Sequence, residues 1–132
     1  MAEATAQQDK VLRLIVVGTP YPKERPRLGK GKVYTPKKTK AAEAFGAVCV
    51  KQARKQQKVT KFEGAVSLSV QFYRNRKVTA KPDLDNLVKL VKDYLEKGGA
   101  FAVGDEQVTT CFAGKFQSTA EETVIILTED VG

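Results

Sequence analysis

The spacing of apolar residues changes several times along the chain, and each change marks an element. Residues 11–17, Val-Leu-Arg-Leu-Ile-Val-Val, form a short apolar run with one charge, and β-branched residues and leucine predict a buried strand. Gly18, Pro20, Pro22 and Pro26 end it. The stretch that follows, up to Thr35, is rich in proline and glycine, which excludes a helix or a central strand and predicts a long loop. Thr35-Pro36 then opens a helix, with Thr35 as its cap and Pro36 in its first turn. Its predicted apolar stripe is Ala41, Ala44, Phe45, Val48, Cys49 and Ala53, ending near Lys55.

Past a break at residues 56–58 the period shortens to two. Val66, Leu68, Val70 and Phe72 alternate with Ser67, Ser69, Gln71 and Tyr73, the pattern of a half-buried strand. Pro82 biases Lys81 away from helix, so a second helix starts near residues 83–86. Leu84, Leu87, Val88, Val91 and Leu95 recur at three and four residues along it, until Gly98-Gly99 stops it. A strand over about 107–116 and a last one over 123–128, read as its hairpin partner, complete the chain. The order β-α-β-α-β-β predicts an α/β (α+β) sandwich, two helices on one mixed, mainly antiparallel sheet. Residues 1–10 read as a loose tail and 11–132 as one domain, a modest but sufficient length for a core.

Composition narrows the chemistry. The chain has no histidine, which excludes zinc deaminases, histidine-metal nucleases and Ser-His or Cys-His hydrolases. Cys49 and Cys111 lie far apart and are expected to be buried thiols. No apolar run reaches membrane-spanning length, and the start lacks a signal-peptide pattern, so a cytoplasmic protein without a membrane partner is expected.

The net charge of +8 is divided unevenly. Residues 1–81 hold 19 Lys and Arg against 5 Asp and Glu, whereas residues 82–132 hold 4 against 10. Such a split points to a polyanion-binding front half and a carboxylate-bearing back half, although a ribosomal-type RNA binder with an acidic end has the same signature. Candidate phosphate contacts in the first basic stretch are Lys23, Arg25, Arg27, Lys30, Lys32, Lys37, Lys38 and Lys40. The last three sit at a helix start, where cations are unfavourable unless an anion binds there. Arg74, Arg76, Lys77 and Lys81 form a second basic patch. Tyr21 and Tyr34 offer rings that stack on a base or anchor the loop.

The second patch leads into Lys81-Pro-Asp-Leu-Asp-Asn-Leu-Val-Lys89, which sets Asp83, Asp85 and Lys89 at the opening of the second helix. A plain reading is an aspartate cap above a salt ladder of Asp85, Lys89 and Asp93. A chemical reading adds Asp105, which a returning segment is long enough to carry back beside Asp83 and Asp85. Three converging carboxylates call for a hard cation, Mg²⁺ or Mn²⁺ rather than zinc. Lys89 would then counter phosphate charge in the transition state of phosphodiester hydrolysis. Glu106 stands open between a fourth ligand and a solvent-facing side chain, and Asp93 is read as a surface partner of Lys89 or Lys97.

The segment 81–89, the later Gly104-Asp-Glu-Gln-Val108, and the upstream Pro22-Lys-Glu-Arg-Pro-Arg27 and Tyr34-Thr-Pro-Lys-Lys38 together resemble the RusA family of bacterial and phage Holliday junction resolvases. The resemblance spans about residues 18–115. It implies a homodimeric, Mg²⁺-dependent endonuclease that makes paired nicks in opposed strands of a four-way DNA junction, in recombination and repair. It further implies that Asp83, Asp85 and Asp105 bind the metal and that Lys89 is catalytic, with no nucleotide cofactor. One position departs: family members often carry two adjacent aspartates where this chain has Gly104-Asp105. Two other readings compete, a non-catalytic DNA- or RNA-binding module and a nuclease for forks or flaps.

Overall fold

The computed structural model describes residues 10–24, 27–29, 32–34 and 36–129, the two short middle segments as backbone. Of the predicted N-terminal tail over 1–10, residues 1–9 lie outside the described residues and Lys10 belongs to the first strand. The elements in order are β1 (Lys10–Val17), β2 (Arg27–Gly29), β3 (Lys32–Tyr34), α1 (Lys37–Gln57), β4 (Val66–Arg74), α2 (Leu84–Lys97), a 3-10 turn over Asp105–Gln107, β5 (Val108–Gln117) and β6 (Glu122–Glu129). Within the basic segment read as a loop, β2 and β3 pair as a small antiparallel ribbon.

Four strands form one sheet in the order β1-β6-β4-β5. The β1–β6 and β6–β4 pairs are antiparallel and β4–β5 is parallel, so the sheet is mixed and mainly antiparallel as expected. The last strand is not the hairpin partner of β5. It passes β5 and inserts between β1 and β4, where Ile125 and Leu127 become fully buried. The burial decides this: β6 alternates cleanly between buried and half-buried positions, as a central strand does, while β5 is mostly exposed and takes the edge.

One face of the sheet carries Leu12, Leu14, Leu68, Val70, Phe72, Ile125 and Leu127, and with Val50, Leu87, Val91 and Leu95 from the helices it makes the core. Each such side chain contributes roughly 1.5–3 kcal/mol by leaving water. The helix α2 follows its predicted stripe, burying Leu87, Leu90, Val91, Tyr94 and Leu95. The helix α1 does not. Ala41, Ala44, Phe45 and Val48 are exposed, and the buried face is Thr39, Gly46, Ala47, Val50 and Ala53. Close packing selects that face: a Cβ at Gly46 would fall 2.6 Å from Cε2 of Tyr94 and nearer still to other ring atoms, so the tyrosine ring lies directly on the α1 backbone. Pro36 occupies the N-cap position rather than the first turn, and Thr35 lies outside the described residues. Neither cysteine is fully buried: Cys49 is half-buried and Cys111 is exposed on the edge strand.

The two edges of the sheet are treated differently. Along β1, the side-chain amide of Gln57 donates to the Arg13 carbonyl at 2.5 Å and its oxygen accepts the Arg13 N–H at 3.1 Å, occupying a pair of edge groups. Among the described residues, β5 has no strand on its outer side.

Candidate active site

Strand β4, the segment 75–83, α2 and the parallel strand β5 make a β-α-β unit, so the head of α2 lies at the C-terminal ends of β4 and β5 and its foot at their starts. The sequence-predicted residues divide between these two ends.

At the head, Asp83 is the N-cap of α2, with extended backbone and no side-chain capping bond, and Asp85 lies in the first turn. The capping role in the plain reading is therefore not used, and both carboxylates are exposed. Asp85 and Lys89 share a cavity of about 460 Å³ with Leu84, Val88, Lys92, Cys111 and Ala113, between one face of α2 and β5. That cavity unites a carboxylate with two ammonium groups. Asp83 does not line it.

The head is held by side chains that sequence reasoning assigned elsewhere or passed over. Lys115 reaches from β5 and donates to the carbonyls of Ala80 at 2.9 Å and Pro82 at 3.0 Å. The Arg74 guanidinium donates to the Lys81 carbonyl at 2.6 Å, and burial together with the nearby Arg76 lowers its pKa. Arg74 therefore braces the backbone of this segment. Glu121 accepts the Asn75 N–H at 3.1 Å and the Thr19 hydroxyl at 2.9 Å, and these bonds lower its pKa. The segment that delivers Asp83 is thus fixed at both ends by β4, β5 and the turn before β6. The signal for Lys115 in the sequence was faint, a single lysine within an otherwise uncharged strand.

At the foot, Asp105 is half-buried and opens the 3-10 turn. Its neighbourhood is set by Gln107, whose amide donates to the carbonyls of Phe62 at 2.7 Å and Gly64 at 2.9 Å while its oxygen accepts the Val103 N–H at 2.7 Å. Gly104 meets a crowded spot: a Cβ there would collide with the Glu106 carboxylate and lie 3.1 Å from Glu96 Oε1. Asp105 also helps to raise the pKa of Lys23, behind the larger influence of Asp93. Asp93 is not the partner of Lys89 or Lys97. It pairs with Lys23 at 2.7 Å, and Lys97 pairs with Glu43 at 2.6 Å, because the segment 21–24 and α1 flank that face of α2. Lys23 thus has a carboxylate partner while its side chain stays 39% exposed.

The 14-residue helix spans roughly 21 Å at 1.5 Å per residue. Asp83 and Asp85 at one end and Asp105 at the other are therefore not brought together as the sequence reading expected. Among the described residues, no three His, Cys, Asp or Glu side chains come close enough to hold a metal ion. The oxygen chemistry suits a hard divalent cation, but one protomer does not assemble the three-carboxylate set.

Lys37, Lys38 and Lys40 are exposed in the first turn of α1, which has no acidic residue. Arg76, Lys77 and Lys81 are exposed around the segment before α2. Arg25 and Lys30, and the side chains of Arg27 and Lys32, lie outside the described residues.

A family model, endodeoxyribonuclease RusA, matches residues 18–128. The chain belongs to the RusA endodeoxyribonuclease family. The match takes in β1's exit, both helices, the whole β-α-β unit and nearly all of β6. No curated protein matches the chain in a sequence search. As a RusA-family nuclease its substrate is DNA, which accounts for the basic first half. Among the described residues, no helix is long and apolar enough to cross a membrane.

Proposed function

We propose that this RusA-family protein is a Mg²⁺-dependent endonuclease, with Mn²⁺ as a substitute, that resolves four-way DNA junctions as a homodimer by symmetric nicks in opposed strands. The observation that carries the reading is the pairing of Asp85 with Lys89 and Lys92 around one cavity, on a helix head braced by Lys115 and Arg74 and flanked by exposed basic residues. Basic residues at Arg76, Lys77 and Lys81 and at the start of α1 engage backbone phosphates without reading sequence. A phosphodiester drawn to the cavity has Lys89 and Lys92 to offset charge growing on its non-bridging oxygens. Asp85 orients the attacking water and accepts its proton. Asp83, Asp85 and Asp105 are the proposed metal-binding carboxylates, although within one protomer Asp105 stands at the far end of α2 from the other two. Two-fold symmetry suits the substrate, since a junction offers two equivalent strands to a dimer with two equivalent sites.

The test is cleavage of a labelled synthetic four-way junction with and without Mg²⁺, beside a linear duplex of the same sequence, by the wild type and Asp85→Asn. Paired, metal-dependent nicks at the junction that vanish in the variant are expected. Equal cutting of forks or flaps would shift the substrate to those structures. The separation of Asp105 from the helix head favours a second reading, a junction-binding module that does not cut. Tight binding without nicks in either Mg²⁺ or Mn²⁺ would establish that reading instead.

A further inference from the structure

We infer that the open face of the sheet, where β4 meets β5, is a stacking site for an unpaired DNA base, built by Phe112 and Phe116 around Gly114, with Gln71 to hold the base edge. The family match makes DNA the substrate. The inference rests on the proposed junction reading only for the source of unpaired bases, an opened branch point.

The helices cover one face of the sheet, and alternate side chains of β5 part between the two faces. On the covered side, Cys111 and Ala113 line the cavity of Asp85 and Lys89, and Lys115 reaches the carbonyls of Ala80 and Pro82. On the open side, Phe112, Gly114 and Phe116 line a second cavity of about 190 Å³ with Ser69 and Gln71 of β4. Phe112 and Phe116 are 67% and 43% exposed there. The ring of Phe116 leans back over Gly114, where a Cβ would fall 3.0 Å from its Cε2 and Cζ. Tyr73, its neighbour in register, stacks on it with ring centroids 5.4 Å apart. Gly114 thus leaves the floor without a side chain, and the two phenylalanines bound it along the strand.

Exposed rings accept the face of any base, which suits an enzyme that follows DNA shape. The Tyr73 hydroxyl donates to Gln71 Oε1 at 2.8 Å, so the exposed Gln71 amide offers its N–H donors to the acceptors of a base edge. Charge agrees with a nucleic-acid occupant. Exposed Arg76 and Lys77 follow β4 directly beyond Tyr73, in reach of a backbone phosphate. Glu122 lies beside Tyr73 on the side away from Phe116, so the acid borders the ring surface without entering the cavity. Bases within a duplex bury their faces against one another, and only a base that has left the stack can lie on the phenylalanines. Because β5 is the edge strand, a DNA strand passing round it sets a base on one face and a phosphate at the Asp85 and Lys89 cavity on the other.

The experiment measures binding of a short labelled oligothymidylate beside an abasic strand of the same length, with EDTA present, to the full chain and its variants. Wild type is expected to bind the oligothymidylate about 10-fold more tightly than the abasic strand. Phe112→Ala, at an exposed ring, is expected to remove most of that difference and leave abasic affinity unchanged, while Phe112→Trp keeps it. The chain has no tryptophan, so the emission of Phe112→Trp reports on the cavity directly. It should be quenched by the oligothymidylate and not by the abasic strand. Equal affinity of wild type for the two strands, or a difference that survives Phe112→Ala, overturns the inference. So does a fall in the mass of Phe112→Ala by sedimentation without DNA, which would assign the rings to contact with a second copy. With metal chelated, none of these readings depends on cutting. A wild type that discriminates the strands as expected but never nicks a junction would sink the nuclease reading and leave the stacking site standing.

Discussion

The two ends of α2 hold similar carboxylates in different frames. At the head, Asp83 and Asp85 are exposed while the backbone that delivers them is tied down by Lys115, Arg74 and Glu121. At the foot, Asp105 is half-buried, and the side-chain bracing comes from the buried Gln107, which gathers Phe62, Gly64 and Val103 beside the backbone bonds between Phe62 and residues 100–102. In neither place does the carboxylate stabilise its own position. The frame is supplied by side chains remote in sequence, and the difference lies in how much fails when one of them is lost. Several side chains share the task at the head, whereas at the foot one side-chain amide joins a short backbone bridge.

The comparison can be broken most severely at the head. Asp85→Asn is expected to lower junction cleavage on the order of 10²–10⁴-fold, the usual size of a proton-transfer contribution, with junction affinity preserved or slightly raised. Loss of affinity on the same scale would show that Asp85 supports the fold instead.

Next comes the foot. Gln107→Ala strands the Gly64 carbonyl and the Val103 amide and leaves the Phe62 carbonyl with the Ala102 N–H alone, and is expected to cost about 2–4 kcal/mol in a denaturant titration. A loss below about 1 kcal/mol would mean that water replaces the amide without penalty. Returning to the head, Lys115→Met removes two of several bonds. A fall in cleavage of roughly 10-fold is expected from displacement of Asp83 and Asp85, with a smaller stability loss of about 1–2 kcal/mol. A larger stability loss than that of Gln107→Ala would reverse the contrast between the two ends.

The smallest effect is a pH dependence. Hydrogen bonds from Asn75 and Thr19 hold the Glu121 pKa below its ordinary value of 4.5, so Glu121 stabilises the fold above that range and the contribution is lost as pH falls through the lower folded value. The melting difference between wild type and Glu121→Gln should therefore be greatest near neutral pH and shrink on acidification. A difference that grows in acid would contradict the assigned bonds.

Local rules made much of this molecule legible in one dimension. The two-residue alternation of 66–72 and the three-to-four spacing of 84–95 marked β4 and α2 correctly, because each element shows one face to the core. The charge split and the Asp83-Leu-Asp-Asn-Leu-Val-Lys89 segment pointed to a DNA-directed family, which the match over residues 18–128 bears out. Partners in space were another matter. Strand β6 bypassed its sequence neighbour because its pattern belongs between two other strands, and α1 turned its small residues inward because Tyr94 needs the gap at Gly46. Asp93 found Lys23, 70 positions earlier, rather than the lysines one turn away.

What the amino-acid sequence determined by itself was the order of elements, the family and the kinds of side chain available for chemistry, since these follow from local spacing and residue type. Tertiary structure decided which carboxylates can meet. Chain length allows Asp105 to return to the head of α2, but parallel pairing of β4 with β5 spends that length reaching the opposite end of the sheet. Contact between distant residues is set by which strand edges pair, and that depends on the burial of the whole sheet rather than on any one stretch of chain.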